Sequence, residues 1–204
     1  LSNDNLTNLR LEIANLKSIN VYFTGQFSNP GINLIHPFSD IFLAIIQAGG
    51  VDNSGSLRKI QLIRNGNIVE TFDFYDFFVR GENTFSDTRI LDGDIIHVPT
   101  VGKRVFIDGD VYTGGYFELL EEESLSDLVN YTGGFKPSVS SIAFIDQIVP
   151  QSSRINDDNA RSSISILIKD FNSTVPNNGD NVQIRPIFEQ NTKVKAIVFP
   201  GKIE

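Results

Sequence analysis

The side chains that most readily perform acid–base or metal chemistry are scarce in this chain. It has no cysteine, which excludes thiolate nucleophiles, thiolate metal sites and disulfides, and only two histidines, His36 and His97. His97 lies between the apolar residues Ile96 and Val98, so we predict that its ring faces outward from a strand. His36 precedes Pro37 in a predicted loop without a visible partner. Neither histidine predicts a catalytic or metal site.

Acidic residues offer two further candidates for chemistry. The tripeptides Asp92-Gly93-Asp94 and Asp108-Gly109-Asp110 suggest calcium ligands, but neither continues into a twelve-residue loop that ends in glutamate. Both lie at predicted strand edges, where Asp-Gly is typical of turns. Glu118 and the three glutamates at 121–123 form the densest charge cluster, which could hold a cation or a polymer hydroxyl. The simpler interpretation is a solvated stretch before a helix, whose N-terminus favours acidic residues.

Aromatic side chains could stack on sugar rings. We predict that most of them fill the cores instead, because a chain with 16 phenylalanines and neither tryptophan nor methionine must bury phenylalanine. No Gly-x-Ser-x-Gly, His-Glu-x-x-His or P-loop motif occurs. We therefore predict a non-enzymatic protein without catalytic residues, metal site or cofactor, and the ligand-binding residues stay unassigned. The aromatic candidates are Tyr22, Phe72, Phe74, Tyr75, Phe77 and Phe78.

The charge distribution narrows the choice of partners. The net charge is −8, divided equally between residues 1–101 (7 Lys/Arg against 11 Asp/Glu) and 102–204 (10 against 14). Such a balance leaves no basic stripe, which argues against nucleic acid or an anionic membrane surface as a partner. No apolar run approaches the ~20 residues that span a bilayer. The first residue is leucine and no basic-then-apolar leader follows, so we expect a mature or trimmed chain.

The elements that position these residues occur twice. Residues 21–27 match residues 105–111, and Ala48-Gly49-Gly50 matches Thr132-Gly133-Gly134, both at an offset of 84 residues. A helix-start signal precedes each glycine pair, and residues 93–98 match 179–184 at an offset of 86. Four features in one order predict two structural repeats. Residues 191–204 contain a further strand-then-glycine pattern, which indicates either a third repeat or a closing strand.

Each repeat predicts a strand, a turn, a short helix, a hairpin and a last strand. In the first copy the helix begins near Ser39-Asp40 and ends at the glycine pair, because glycine readily adopts the left-handed conformation that ends a helix. Asn65-Gly66 predicts a tight hairpin turn between strands at 59–64 and 67–72. One helical turn is expected at 73–79. The second copy replaces the tight turn by a longer polar loop at 151–160.

Residues 1–20 lie outside the repeat. Alternation of Leu9, Leu11 and Ile13 favours a strand there, whereas Leu6, Leu9, Ile13 and Leu16 would fit one face of a helix.

The repeated motifs resemble those of SLBB (soluble ligand-binding β-grasp) domains. The resemblance rests on residues 25–31, on Ala48-Gly49-Gly50, on Arg64-Asn65-Gly66 and on residues 92–99. The second copy departs from the pattern, since Thr113-Gly114-Gly115 stands where Asn-Pro-Gly is expected. The motif positions, which we expect to have structural roles, are Gly25, Pro30, Gly31, Gly49, Gly50, Asn65, Gly66, Gly93, Asp94, Gly109, Gly133, Gly134, Gly179 and Asp180.

Tandem SLBB domains are similar to those of outer-membrane polysaccharide export (Wza-like) proteins. The resemblance implies an α+β fold with two β-grasp domains, at 21–101 and 102–190, each a small mixed sheet with one short helix. Residues 1–20 would be the tail of a preceding export domain. It further implies a periplasmic location in an outer-membrane-associated protein.

The same resemblance implies a function and partners. The function would be a conduit for capsule or exopolysaccharide, and the partners would be other copies in a ring, the polysaccharide and the inner-membrane export machinery. SLBB domains occur in other proteins too, so fold alone does not fix function. A small-ligand or glycan-binding module without a transport role stays open as the alternative.

Overall fold

Two compact units make up the part of the chain that the structure, a computed structural model, describes. The described residues are 16–82, 85, 88–149, 153–154 and 160–187. The chain divides between Gly102 and Lys103, and each unit contains one five-stranded mixed sheet with a short helix of seven residues. The predicted α+β class, with two tandem β-grasp-type domains, is therefore confirmed.

The first unit has a sheet of strand order β2-β1-β5-β3-β4. Neighbouring strands are antiparallel except β1 and β5, which run parallel through the centre of the sheet. The elements in chain order are β1 Ile19–Gly25, β2 Gly31–Ile35, α1 Ile41–Gln47, β3 Ile60–Arg64, β4 Asn67–Phe72, α2 Phe74–Phe78 and β5 Ile95–Val98.

The second unit repeats this topology with the strand order β7-β6-β10-β8-β9, in which β6 and β10 are the parallel pair. A 3₁₀ helix at Ile168–Ser173 takes the place of α2. The remaining elements are β6 Lys103–Gly109, β7 Gly115–Leu119, α3 Leu125–Tyr131, β8 Val139–Ile148, β9 Arg161–Leu167 and β10 Asn181–Pro186.

Each core lies between the helix and one face of the sheet. Along β1, Val21 and Phe23 are buried, while Tyr22 between them points to the opposite face, as the period of a strand requires. In α1, Ile41 and Ala44 pack onto the buried face of this sheet, one helical turn apart. Burial of such side chains, at roughly 25 cal/mol per Å² of apolar surface, is the main force that holds each unit together.

The hairpin and helix predictions match the structure, but β2 and β7 were not predicted. Both are five-residue edge strands that pair with the strand before them. In β2 the alternate residues Ile32 and Leu34 point to solvent, so its hydrophobic pattern gives no sign of the buried face. The predicted strand near residues 9–13, the segment 191–204 and most of the loop at 151–160 lie outside the described residues.

Candidate functional site

The first feature of the repeated motif is a glycine at the end of each unit's first strand. Gly25 has a φ of 84° and Gly109 a φ of 103°. A Cβ atom at Gly25 would overlap the carbonyl oxygen of Val98, and one at Gly109 would overlap that of Ile184. The next residue donates its N–H to that same oxygen, at 2.9 Å in the first unit and 2.8 Å in the second. Glycine therefore lets the parallel strand pair close at this point.

The second feature is the glycine pair after each main helix. Gly49 and Gly50 donate their N–H groups to two carbonyls of the last turn of α1, at 3.0 and 2.9 Å. Gly133 and Gly134 do the same for α3, at 3.1 and 3.0 Å. These are the two hydrogen bonds of a Schellman motif, which satisfies the last carbonyls of a helix. The glycine pairs thus fix where the chain leaves each helix.

Two turns complete the motif in the first unit. Pro30 precedes β2, and Gly31 opens it with a φ of 137°. Asn65 and Gly66 have φ values of 51° and 77°, which is the left-handed pair needed for a tight hairpin between β3 and β4. Neither turn brings polar side chains together around a cavity.

The aspartates Asp94 and Asp180 follow left-handed glycines and are each only 1% exposed. Asp94 accepts two hydrogen bonds of 2.8 Å from the guanidinium of Arg64 and one from the backbone N–H of Leu91. Asp94 therefore has two roles: it lies in a turn, as the Asp-Gly sequence predicts, and it forms a partly buried ion pair with Arg64. Such a pair is costly to break on one side, because the remaining charge is left buried.

Among the described residues, no arginine forms an ion pair with Asp180 as Arg64 does with Asp94. Burial raises the pKa of Asp180, while the 2.8 Å hydrogen bond from the backbone N–H of Asn177 and the positive charge of Lys103 oppose this effect. The sheet register places Gln147 beside Asp180 at the position where Arg64 lies beside Asp94. The two repeats therefore hold the same aspartate in different electrostatic settings.

The histidines lie apart from any catalytic arrangement. The Nδ1 atom of His97 is 3.0 Å from the hydroxyl of Thr24, on the sheet face opposite the core. The Nδ1 atom of His36 accepts the backbone N–H of Phe38 at 3.3 Å. Within the described ranges, no group of three or more His, Asp or Glu side chains could hold a metal ion.

The glutamate cluster is not uniformly solvated, contrary to the simpler interpretation. Glu118 lies in β7 and is buried, and Glu123 accepts hydrogen bonds from the Tyr131 hydroxyl at 2.5 Å and the Leu120 N–H at 2.8 Å. The unpredicted strand β7 explains the burial of Glu118. Glu123 ties the loop before α3 to the end of that helix.

The aromatic candidates divide between core and surface. Phe72 and Phe74 are buried, and the ring centre of Phe77 lies 5.2 Å from that of Phe85 in a tilted arrangement within the same cluster. Tyr22 and Phe78 are exposed instead. Phe72, Phe74 and Phe77 therefore follow the prediction that these rings fill the core, whereas Tyr22 and Phe78 do not. The sixth candidate, Tyr75, is half-buried beneath the guanidinium of Arg58.

Comparisons with known proteins agree with the motif. Residues 20–72 match the SLBB domain family, which confirms the resemblance for the first repeat. Two curated proteins of Escherichia coli, both named polysialic acid transport protein KpsD, are each 30% identical to this chain over 115 residues. That alignment covers 56% of the chain and 20% of each relative, so the chain spans about a fifth of the length of the curated relatives it matches. None of the described helices has the length and apolarity to cross a membrane.

Proposed function

We propose that this chain is the periplasmic part of a capsule or exopolysaccharide export protein, and that it forms part of a polysaccharide conduit by homo-oligomeric assembly. The observation that carries the proposal is the 30% identity, over 115 residues, to proteins named for polysialic acid transport. The match of residues 20–72 to SLBB domains and the repetition of the same topology in the second unit support it.

The proposed mechanism is assembly and passage, without bond-making. The motif residues serve the backbone: glycines close the parallel strand pair and end the helices, and Asp94 holds Arg64. Compact units of this kind suit a wall that a polymer passes. The net negative charge, which is divided equally between the two halves of the chain, supports a partner other than nucleic acid. We further propose an outer-membrane-associated protein that meets the inner-membrane export machinery.

Deletion of the gene in its own host tests the proposal. We expect polysaccharide to disappear from the cell surface and to accumulate inside the cell, because the conduit is missing while synthesis continues. Complementation with the full-length gene should restore the surface polymer. Unchanged surface polysaccharide in the deletion strain would contradict the proposal.

A glycan-binding module is the second candidate, favoured by one surface of the second unit. Tyr116 is 70% exposed on β7, and its ring lies 4.8 Å from that of Phe106. The strand pairing continues this line through Asn181 and Asp146. The exposed Tyr116 ring beside the half-buried Phe106 offers a stacking surface, and the Asp146 carboxylate on the same line offers an acceptor for sugar hydroxyls.

Titration with oligosaccharides cut from the host's own polymer tests the second candidate. Under the second candidate, Tyr116→Ala should abolish binding while Tyr112→Ala, which removes an exposed tyrosine from the neighbouring loop, leaves it unchanged. Equal binding by both variants, or none by the parent chain, would rule out this glycan surface.

A further inference from the structure

The outer face of the first sheet carries an unbroken apolar row across all five strands. Pairing across neighbouring strands joins Ile32 to Tyr22, Tyr22 to Ile95, Ile95 to Ile63 and Ile63 to Ile68. Paired residues project from the same face of a sheet, here the face opposite the core. These five side chains, with Leu34 beside them on β2, are called the sheet row.

The sheet row is large for a surface that contacts only water. The four residues nearest the sheet edges, Ile32, Leu34, Tyr22 and Ile68, are 41–65% exposed. Together with the rest of the sheet row they form one contiguous apolar patch, and contiguous apolar patches on a single chain are often binding sites.

The second unit shows that the fold does not require this apolarity. At the equivalent positions its strands carry Tyr116, Phe106, Asn181, Asp146 and Ser163, joined by the same pairing. Three of these five residues are polar, whereas all five are apolar or aromatic in the first unit. The sheet row is therefore a property of the first unit and not of the topology.

The helix side of the first unit has a second apolar patch. Leu43 and Ile46 are 52% and 56% exposed on α1, and Phe42, one turn before Ile46, contacts the exposed ring of Phe78 at 6.0 Å. These four residues are called the helix patch. Because α1 packs on the inner face of the sheet, the helix patch and the sheet row lie on opposite sides of the unit.

The helix of the second unit again provides the contrast. At an offset of 84 residues, Asp127 and Asn130 replace Leu43 and Ile46. Asp127 forms the capping box with Ser124, and Asn130 is exposed. The first unit thus has two opposed apolar surfaces, and the second has polar residues at most of the matching places.

We propose that the first unit carries the contact between copies of this chain, with the sheet row of one copy packed on the helix patch of the next. A head-to-tail contact needs two different surfaces on one molecule, and such contacts build rings when the rotation closes. A single foreign partner would need only one of the two surfaces. The inference rests on the proposed function, because it names the surfaces that would join the subunits of the conduit.

The contact is small in this chain. The sheet row has six residues and the helix patch four, against about 20–30 residues a side in a standard stable interface. We therefore expect a weak contact here, which a covalent trap can reveal.

Cysteine trapping tests the contact directly, because the chain has no cysteine of its own. Tyr22→Cys places a thiol in the sheet row, and Leu43→Cys places one in the helix patch. When the two variants, distinguished by an affinity tag, are mixed and oxidised, we expect mixed disulfide dimers. The control is Tyr116→Cys mixed with Asn130→Cys, exposed positions on the corresponding sheet face and helix of the second unit.

The yields decide the outcome. We expect at least about tenfold more mixed dimer from the first-unit pair than from the control pair, a preference of about 1.4 kcal/mol. Equal yields would overturn the inference, and so would a dominance of dimers within the Tyr22→Cys variant alone, which indicates a symmetric contact. Either failure would leave the proposed function standing if the deletion strain still loses its surface polysaccharide.

Discussion

Gly50 and Gly134 end the two main helices with positive φ values, of 85° and 98°. No atom lies within 4 Å of where a Cβ would stand at either position, so a side chain there meets backbone strain and no collision. We expect Gly50→Val to cost more than about 1 kcal/mol of the free energy of unfolding, since a β-branched residue is strained at this φ. Urea denaturation measures the cost.

The control for this prediction is Gly50→Asn. Asparagine tolerates the left-handed region better than other residues, so its cost should be clearly smaller. If the valine variant unfolds at the same urea midpoint as the parent chain, the positive φ does not disfavour a β-branched residue at position 50.

Asp180 gives a prediction about pH. Burial raises its pKa above the ordinary 3.8, so the fold disfavours its carboxylate form. The resulting loss of stability is fully present above the folded-state pKa, and it disappears as the pH falls from there towards the unfolded-state value. We expect Asp180→Asn to melt above the parent chain at pH 7, and the difference to shrink with acidification.

Asp92 supplies a control of opposite sign. Hydrogen bonds from the backbone N–H and side chain of Asn20 lower the pKa of this exposed aspartate. Its contribution is present above the unfolded-state pKa and is lost as the pH falls through the folded-state value. Asp92→Asn should therefore melt below the parent at neutral pH, with the difference disappearing in acid. The same trend in both variants would contradict this assignment.

Residue types alone predicted the positions of the motif but not the surroundings of its charged members. Asp-Gly chemistry placed Asp94 and Asp180 at turns, yet the burial of both depends on strand pairing. Arg64 is 30 residues from Asp94, and only the register of β3 on β5 brings them together. Glu118 was misjudged for the same reason, because the strand that buries it was not predicted.

Among the elements, α2 is held by a side chain outside it. Its five residues are too few to be stable alone. Arg58, whose side chain is 1% exposed, donates hydrogen bonds of 2.9 and 2.8 Å to Asp73, the N-cap of α2. Its guanidinium also lies 4.6 Å from the centre of the Tyr75 ring. Arg58 thus ties the helix start to the segment before β3.

We expect Arg58→Gln to destabilise the first unit by about 2–4 kcal/mol, because it leaves Asp73 without its cation and opens a buried site. In this variant, the amides of α2 and that of Val79 should exchange with solvent faster than in the parent chain, and this increase should be larger than for the amides of β3. Hydrogen exchange followed by NMR measures this. Lys59→Gln, which removes the neighbouring exposed charge, should leave exchange unchanged, and a matching effect of both variants would refute the anchoring role.

The elements predicted best were those with strong local signals. Asn65-Gly66 fixed the hairpin, and the glycine pairs fixed the ends of α1 and α3. The edge strands β2 and β7 escaped prediction because their partners, not their own residues, hold them in the sheet. For β2 the solvent-facing Ile32 and Leu34 also obscured which side is buried. Ile32 and Leu34 belong to the sheet row. Their outward-facing apolar side chains therefore explain both why the strand was missed and why a contact is proposed there.

At the scale of the whole molecule, the two units share one topology but differ in surface chemistry. The first exposes apolar residues on both the sheet side and the helix side, whereas the second has polar residues at most matching positions. Two copies of one fold can have different surface functions, because the core residues determine the topology while the outward-facing residues can vary. The division supports contacts between copies through the first unit and leaves the aromatic pair of the second unit available to a polymer.

The assembly state gives the last prediction. The apolar surfaces of the first unit are smaller than a standard interface, so we expect the 204-residue chain to be monomeric or weakly associated at micromolar concentration. The curated relatives are about five times longer than the part that aligns, and a longer protein has further surface with which to close a ring. Light scattering in detergent should therefore find the full-length protein as a closed oligomer of fixed mass. A strictly monomeric full-length protein would count decisively against the conduit and leave the ligand-binding module as the better explanation.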